Sequence, residues 1–186
     1  MLLAVDVQYR DDCGFAAGVL FQDWHSDRAV RTVSARVDGI GEYVPGEFYK
    51  RELPCILKLL SLVDEDIDCV IIDGFVYLDG DARPCLGKHL FDAVQGRYPI
   101  VGVAKTSFAG ISDQYEVLRG DSKRPLYVAT AGYDLDDAKC SIAAMHGKHR
   151  IPSLLKIVDQ RCRSDSIPAN EHNSDEASSN VQCQIL

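Results

Sequence analysis

Three segments near the start of the chain have patterns of apolar and polar residues that are typical of β-strands, and the first of them alternates. They cover residues 1–10, 14–22 and 29–37, and the last two are separated by a polar turn at 23–28. The links between them are short, which predicts an antiparallel meander of three strands.

The remaining pattern mixes helical spacing with continuous apolar runs. Residues 53–63 and 86–94 have apolar positions near helical spacing, and residues 134–146 and 153–163 also favour helices. Residues 68–74 (DCVIIDG) and 99–104 (PIVGVA) are typical of buried strands, and 115–119 with 126–131 suggest a late strand pair. The order β-β-β-α-β-α-β-β-β-α-α predicts an α/β fold: a mixed β-sheet flanked by helices.

Composition divides the chain into two parts. Residues 1–163 are long enough for one domain with its own core. Residues 164–186 are rich in Ser, Asn, Asp and Glu and poor in large apolar side chains, so we expect a disordered polar tail.

Charge and cysteine content say more about the compartment than about the partner. The net charge of −8 includes four acids and no Lys or Arg after residue 163, which leaves 24 acids against 20 bases before it. A metal and a local basic patch can still bind phosphates on such a chain.

Seven cysteines without a CxxC pair indicate reduced thiols and a cytoplasmic protein. We expect no membrane segment, and the amino terminus lacks the basic region of a signal peptide.

The stretch 42–52 (EYVPGEFYKRE) combines an aromatic residue, a turn and an acid. Pro45 and Gly46 predict a rigid bend directly after Tyr43, and Glu52 falls at the start of the following helix. These residues alone leave two interpretations open. The loop and the acid serve one site, or the segment is a surface loop with a Glu favoured by the helix dipole.

Asp6 and Asp73 each interrupt an apolar strand. A carboxylate there loses hydration, and a hard cation such as Mg²⁺ is one compensator, while helix dipoles or hydrogen-bond donors are others. Because sites in open α/β sheets form where strand ends converge, two such acids favour a metal site. Without further information, Asp159 reads as a solvated helix residue and Lys105 as a surface strand end.

The segments AVDVQY, YVPGEFYKRE, VIIDG, PIVGVAK, RPLYVATAG and RIPSLLKIVD occur here in one order. In that order they resemble endonuclease V, over about residues 1–163. The resemblance implies a ribonuclease H-like fold and a Mg²⁺-dependent endonuclease of DNA repair, with Mn²⁺ as a substitute. It further implies cleavage at the second phosphodiester bond 3′ of inosine (hypoxanthine), leaving a 3′-hydroxyl and a 5′-phosphate.

The resemblance also implies roles for particular residues. Asp6, Glu52, Asp73 and Asp159 match the acidic metal site, and Lys105 matches a lysine near the active centre. The substrate-binding positions that it implies are Tyr43, Pro45 and Gly46 of a wedge loop, Gly74 of the base pocket, and His89. We expect Tyr43 to stack where the base is extruded, and Lys105 to contact phosphate.

One segment departs from the family pattern. Where relatives carry a histidine-rich run, residues 73–90 read DGFVYLDGDARPCLGKHL. Phe75 stands at one histidine position, and Asp79 or Asp81 stands near another. The altered segment therefore bears on which substrate the protein prefers. The alternatives are a structure-specific or RNA-directed nuclease of the same fold, or a module that binds modified bases without cleaving. We expect a monomer whose partner is DNA or RNA containing inosine.

Overall fold

The computed structural model of the chain describes residues 1–41 and 47–164. Within them one sheet has seven strands: β1 (Leu2–Arg10), β2 (Cys13–Phe21), β3 (Arg31–Val37), β4 (Cys69–Asp73), β5 (Ile100–Ala104), β6 (Glu116–Val117) and β7 (Leu126–Ala131). The helices are α1 (Tyr49–Leu60), α2 (Leu86–Ala93), α3 (Leu135–Ala144) and α4 (Ser153–Arg163), with a 3₁₀ turn at Asp113–Tyr115.

The strand order across the sheet is β3-β2-β1-β4-β5-β7-β6. The first three strands form the antiparallel meander that the sequence predicts. Strands β1, β4 and β5 run parallel at the centre, and β7 and β6 complete the sheet in antiparallel fashion. Parallel neighbours bring their carboxyl ends to the same edge of the sheet, where ligand sites of open α/β folds form.

Helices cover both faces of the sheet, so the core has two layers. Helices α1 and α2 contribute Ile56, Leu59 and Leu90 to the layer on one face. Helices α3 and α4 contribute Ile142 and Leu154 to the layer on the other. This arrangement confirms the predicted mixed sheet flanked by helices.

Two boundaries differ from the sequence prediction. Helix α1 covers Tyr49–Leu60 and not 53–63, so Glu52 lies in its first turn, as predicted, and Pro54 is an interior residue. The missing N–H of Pro54 leaves the carbonyl of Lys50 without its usual helical donor. The strand predicted at 115–119 is paired only over Glu116–Val117, because the chain before it forms the 3₁₀ turn.

Within the described ranges, no helix is long and apolar enough to cross a membrane. The predicted tail falls outside these ranges except for Ser164, and so does the predicted bend at Tyr43, Pro45 and Gly46.

Candidate metal centre

Asp6 and Asp73 lie side by side at the centre of the sheet. The parallel register pairs Val5 of β1 with Ile72 of β4, and each Asp is the next residue of its strand. Alternation along a strand puts both side chains on the face that Ala4 and Ile71 occupy. That face packs against α3 and α4, since Ala4 and Ile71 share a core layer with their residues.

Helix α4 supplies a third carboxylate. One carboxylate oxygen each from Asp6, Asp73 and Asp159 lie within 4.8 Å of one another. Asp159 reaches the cluster because Val158 and Cys162 bury one face of the helix against the sheet. We call these three side chains the aspartate cluster.

Lys105 lies inside the aspartate cluster. Its Nζ donates to Asp73 and to Asp159, the latter at 3.0 Å. Arg163, one turn further along α4, also donates to the same oxygen of Asp159 at 3.0 Å. Burial opposes ionisation of Asp159, but the hydrogen bonds and charges of Lys105 and Arg163 hold the pKa of its carboxyl below the ordinary value.

Asp6 has weaker compensation. Its carboxylate accepts hydrogen bonds from the Val7 backbone N–H at 2.8 Å and from the Cys162 thiol at 3.3 Å. Burial, together with the negative charge of Asp73, raises the pKa of Asp6 to about 6. The protein therefore holds this carboxylate in a place where its negative charge is costly.

Glu52 approaches the same edge from α1, on the opposite layer. The oxygens of the Glu52 carboxylate do not belong to the aspartate cluster, whose oxygens lie within 4.8 Å of one another. No residue in the described part of the chain donates a hydrogen bond to the Glu52 carboxylate. Burial, followed by the charges of Asp6 and Asp73, raises the pKa of Glu52 to about 8. Glu52 is thus close enough to the aspartate cluster to be affected by its charge.

The donor set suits a hard divalent cation. Mg²⁺ and Mn²⁺ take oxygen ligands, and bonds of about 2.1 Å place neighbouring oxygens about 3–4 Å apart. The separations in the aspartate cluster are compatible with such a shell, and a cation would relieve the repulsion that raises the pKa of Asp6. The residues present fit a divalent metal site.

Gly74 follows Asp73 with a backbone conformation that favours glycine. Its φ is +147°, and its N–H donates to the carbonyl of Val103 on β5. A Cβ on Gly102 would lie 2.6 Å from the Gly74 carbonyl oxygen, so that position also needs glycine. The two glycines let the backbone turn away directly beside the aspartate cluster.

The segment after Gly74 is held by its own hydrogen bonds. The Asp79 carboxylate accepts from the backbone N–H groups of Asp81, Ala82 and Arg83, which keeps it in a local turn and away from the aspartate cluster. Phe75 packs edge-to-face against Phe108, with ring centroids 6.4 Å apart.

His89 lies at the contact between α2 and α1. Its ring stacks on Tyr49 with the centroids 3.8 Å apart and 14° between the planes. The wedge positions Tyr43, Pro45 and Gly46 lie outside the described residues, so their predicted role stays a prediction.

Two residues at the site were not identified from the sequence. Cys162 contacts Asp6, and Arg163 pairs with Asp159. Helical spacing was the available signal, since residues three and four positions after Asp159 share its face.

The comparisons with known proteins agree with this geometry. The family described as Endonuclease V matches residues 1–136. Endonuclease V of Streptomyces avermitilis is 31% identical over 188 residues, covering 86% of this chain and 77% of that protein. The match to endonuclease V of Xanthomonas oryzae is 37% identical over 124 residues and spans about half of that protein's length, 50%.

Solved structures give the fold independently. The crystal structure of the Streptomyces avermitilis endonuclease V has a TM-score of 0.72 at 26% identity, covering 87% of this chain and 79% of that one. A Ciona intestinalis endonuclease V structure has a TM-score of 0.71 at 18% identity, covering 87% and 83%, and supports the fold alone. The fold is therefore ribonuclease H-like. The chain belongs to the endonuclease V family, and with it to the endonucleases, hydrolases that act on nucleic acid.

Proposed function

We propose that this protein is a Mg²⁺-dependent endonuclease that nicks nucleic acid at the second phosphodiester bond 3′ of inosine. The observation that carries the proposal is the aspartate cluster at the carboxyl edge of the sheet, in a chain of this family. The Ciona intestinalis relative was solved with a DNA 24-mer containing an inosine followed by a ribo-adenosine, which supports inosine in the substrate.

The residues divide the work of phosphodiester hydrolysis. Asp6, Asp73 and Asp159 would hold the cation, and Glu52 would complete its shell. When bound, the cation supplies an activated water and neutralises charge on the phosphoryl oxygens. Water attacks phosphorus as the P–O3′ bond breaks, and the leaving O3′ takes a proton from solvent, which leaves a 3′-hydroxyl and a 5′-phosphate.

Glu52 and Lys105 act beside the cation. Because Glu52 has a raised pKa and receives no hydrogen bond from the described residues, its carboxylate is free to orient the attacking water and accept its proton. When the strand binds, the Lys105 ammonium group gives up a hydrogen bond to a carboxylate and donates to a non-bridging phosphate oxygen. In that position it stabilises charge in the transition state.

The base is bound by the turn after β4 and by the wedge loop. We assign the backbone around Gly74 to the base pocket, since a Cβ at Gly74 would lie 4.0 Å from Leu86, its nearest non-adjacent neighbour among the described residues, which leaves room beside Asp73. Tyr43, on the loop with Pro45 and Gly46, fills the gap in the stack. His89 keeps its predicted substrate role, although its stacking on Tyr49 also makes it part of the helix packing.

A second candidate keeps the metal chemistry and changes the substrate. Phe75 and the turn around Asp79 stand where relatives carry the histidine-rich segment, so the contacts to base and phosphate differ there, and the alternative substrates are RNA or structured strands. The six described cysteines are free thiols, which supports the proposal of a cytoplasmic location. The monomeric state stays a prediction.

One assay tests these proposals together. The protein is incubated with Mg²⁺ and with matched DNA and RNA oligonucleotides that carry either one inosine or adenosine at the same place. Nicking at the stated bond that Asp73→Asn abolishes supports the first proposal. Cleavage that ignores inosine supports the second, and binding without cleavage contradicts both. Tyr43→Ala should reduce discrimination of inosine and leave metal affinity unchanged.

A further inference from the structure

A basic trough passes the aspartate cluster on the α4 side of the sheet. It consists of two adjoining clefts of about 430 and 380 Å³ that share Lys105 and Arg150. Lys156 and Arg163 line the first cleft, together with Asp159. Arg124 lines the second, beside Ser107. We call the two clefts the α4 arm and the β7 arm.

The charge of the trough opposes that of the whole chain. Five Lys and Arg side chains line it against one carboxylate, whereas acids exceed bases over residues 1–163. Lys105 and Arg163 are paired with carboxylates. The exposed side chains of Lys156 and Arg124 form no ion pair within the parts of the chain that the structure describes. These two cations are therefore available to an anionic partner.

The wall of the trough is rigid. Arg119 is only 5% exposed, and its guanidinium donates to the carbonyls of Ala143, Met145, Gly147, His149 and Arg150. Arg150 in turn donates to the carbonyl of Lys105 and, at 2.8 Å, to that of Pro125. The segment 143–150 is thus fastened to the ends of β5 and β7, which fixes the backbone between the two clefts and the position of Arg150 before a ligand arrives.

The shape indicates a polymer as the partner. Both clefts are open to solvent along the surface and meet at Lys105, which contacts Asp73 and Asp159. A small anion would need one cation group, whereas a phosphate chain crossing the cluster contacts cations on both sides of the reacting phosphate.

We propose that the trough binds the sugar–phosphate backbone of the cleaved strand, with Lys156 and Arg124 holding phosphates on opposite sides of the scissile bond. The inference rests on the part of the proposed function that places strand cleavage at the aspartate cluster. It does not rest on inosine being the recognised base. It assigns sequence-independent affinity to the trough and leaves base selection to the residues after β4.

The test measures binding with the Asp73→Asn protein, so that the oligonucleotide stays intact. Fluorescence anisotropy gives Kd for a labelled single strand over a range of salt concentrations. Lys156→Gln and Arg124→Gln should each reduce the slope of log K against log salt by about 0.7, and the double variant by about 1.4. The loss should be equal for strands with inosine and with adenosine. Lys58→Gln, on the exposed side of α1 on the opposite layer, is the matched control.

Oligonucleotide length separates the two arms. Shortening the strand on one side of the inosine should remove the effect of Lys156→Gln, and shortening it on the other side should remove that of Arg124→Gln. The proposal would be overturned if the salt slopes of Lys156→Gln and Arg124→Gln equalled that of Lys58→Gln. It would also be overturned if shortening the same end of the strand removed the effects of both substitutions. Thermal melting of each variant by circular dichroism checks folding. Failure of inosine selectivity in the cleavage assay leaves these slopes unchanged, so the two proposals fail separately.

Discussion

Asp6 and Asp73 occupy adjacent positions on the parallel strands β1 and β4, and the charge of Asp73 contributes to the raised pKa of Asp6. Two carboxylates fixed side by side cost stability when both are ionised. The fold keeps them in this arrangement because the hydrogen-bonded strands β1 and β4 fix their positions, and a bound cation would offset their repulsion.

Asp6→Asn should therefore separate stability from activity. At pH 8 without divalent metal, we expect the free energy of unfolding to rise by about 1–3 kcal/mol, because a neutral amide replaces a charge that burial disfavours. Cleavage should fall by at least about 100-fold through loss of a metal ligand. Urea unfolding and a nicking assay measure the two effects.

The control for this substitution is Asp64→Asn, at an exposed position away from the cluster. It should change neither quantity. A destabilised Asp6→Asn protein that still cleaves at the parent rate would contradict the assignment of Asp6 to the metal site.

The pH dependence of stability follows from the same groups. Asp6 and Glu52 have folded-state pKa values of about 6 and about 8, above their ordinary values of 3.8 and 4.5. The folded protein therefore binds more protons than the unfolded chain in this range, and stability falls as pH rises. We expect the metal-free free energy of unfolding to decrease from about pH 4 to pH 8.

Glu52→Gln isolates one contribution, because it should flatten the part of the decrease that extends to pH 8. Saturating Mg²⁺ should oppose the decrease, since the cation binds the ionised form. Chemical unfolding at several pH values gives both results. Stability that rises with pH in the metal-free parent and not in Glu52→Gln would show that the environment of Glu52 is wrongly assigned.

The sequence predicts that the two aspartates share a site, because each is an acid within an apolar strand of the expected sheet. Asp6 and Asp73 interrupt apolar runs, and sites in open α/β sheets form where strand ends converge, whereas the adjacent register of the two residues is seen only in the structure. Helical spacing identified 153–163 as a helix, with the bounds of α4, and so put Asp159 on a helix. These features are local patterns joined by one topological rule.

Side-chain partners could not be predicted in this way. The sequence gives no sign that Lys105 pairs with Asp73 and Asp159, which are 32 and 54 residues away. Nor does the short strand near Arg119 indicate that its guanidinium is buried under a loop. Such contacts depend on how loops pack across the sheet edge, and periodicity carries no information about that.

Lys105→Gln tests whether the lysine ammonium group and a metal ion compete for the same carboxylates. Without metal, we expect stability to fall by only about 1 kcal/mol, because 36% of the Lys105 side chain is exposed and solvent screens the pairs. Affinity for Mg²⁺ should stay equal or increase, since a competing positive charge is gone. The cleavage rate at saturating Mg²⁺ should fall by roughly 100-fold through lost stabilisation of the transition state.

Isothermal titration calorimetry and single-turnover cleavage provide the two readouts, and Lys58→Gln serves as control. Weaker metal affinity in Lys105→Gln would mean that the lysine supports the site in the ground state, contrary to the proposed exchange with a phosphate oxygen.

Arg119→Ala should be strongly destabilising, because Arg119 is a buried charged residue. The guanidinium donates to five backbone carbonyls between Ala143 and Arg150, and its removal leaves these acceptors without their donor. Losing hydrogen bonds from a charged group in a buried position costs about 2–4 kcal/mol. Arg119→Lys should recover only part of this, because an ammonium group has three donors and cannot span the same carbonyls.

Urea unfolding measures the loss, and hydrogen exchange should show that protection falls first at 145–150. Arg124→Gln, an exposed arginine on the next turn, is the control and should unfold like the parent. If Arg119→Ala were as stable as Arg124→Gln, segment 143–150 would hold its shape without the guanidinium, and the rigid wall beside Lys105 would need another cause.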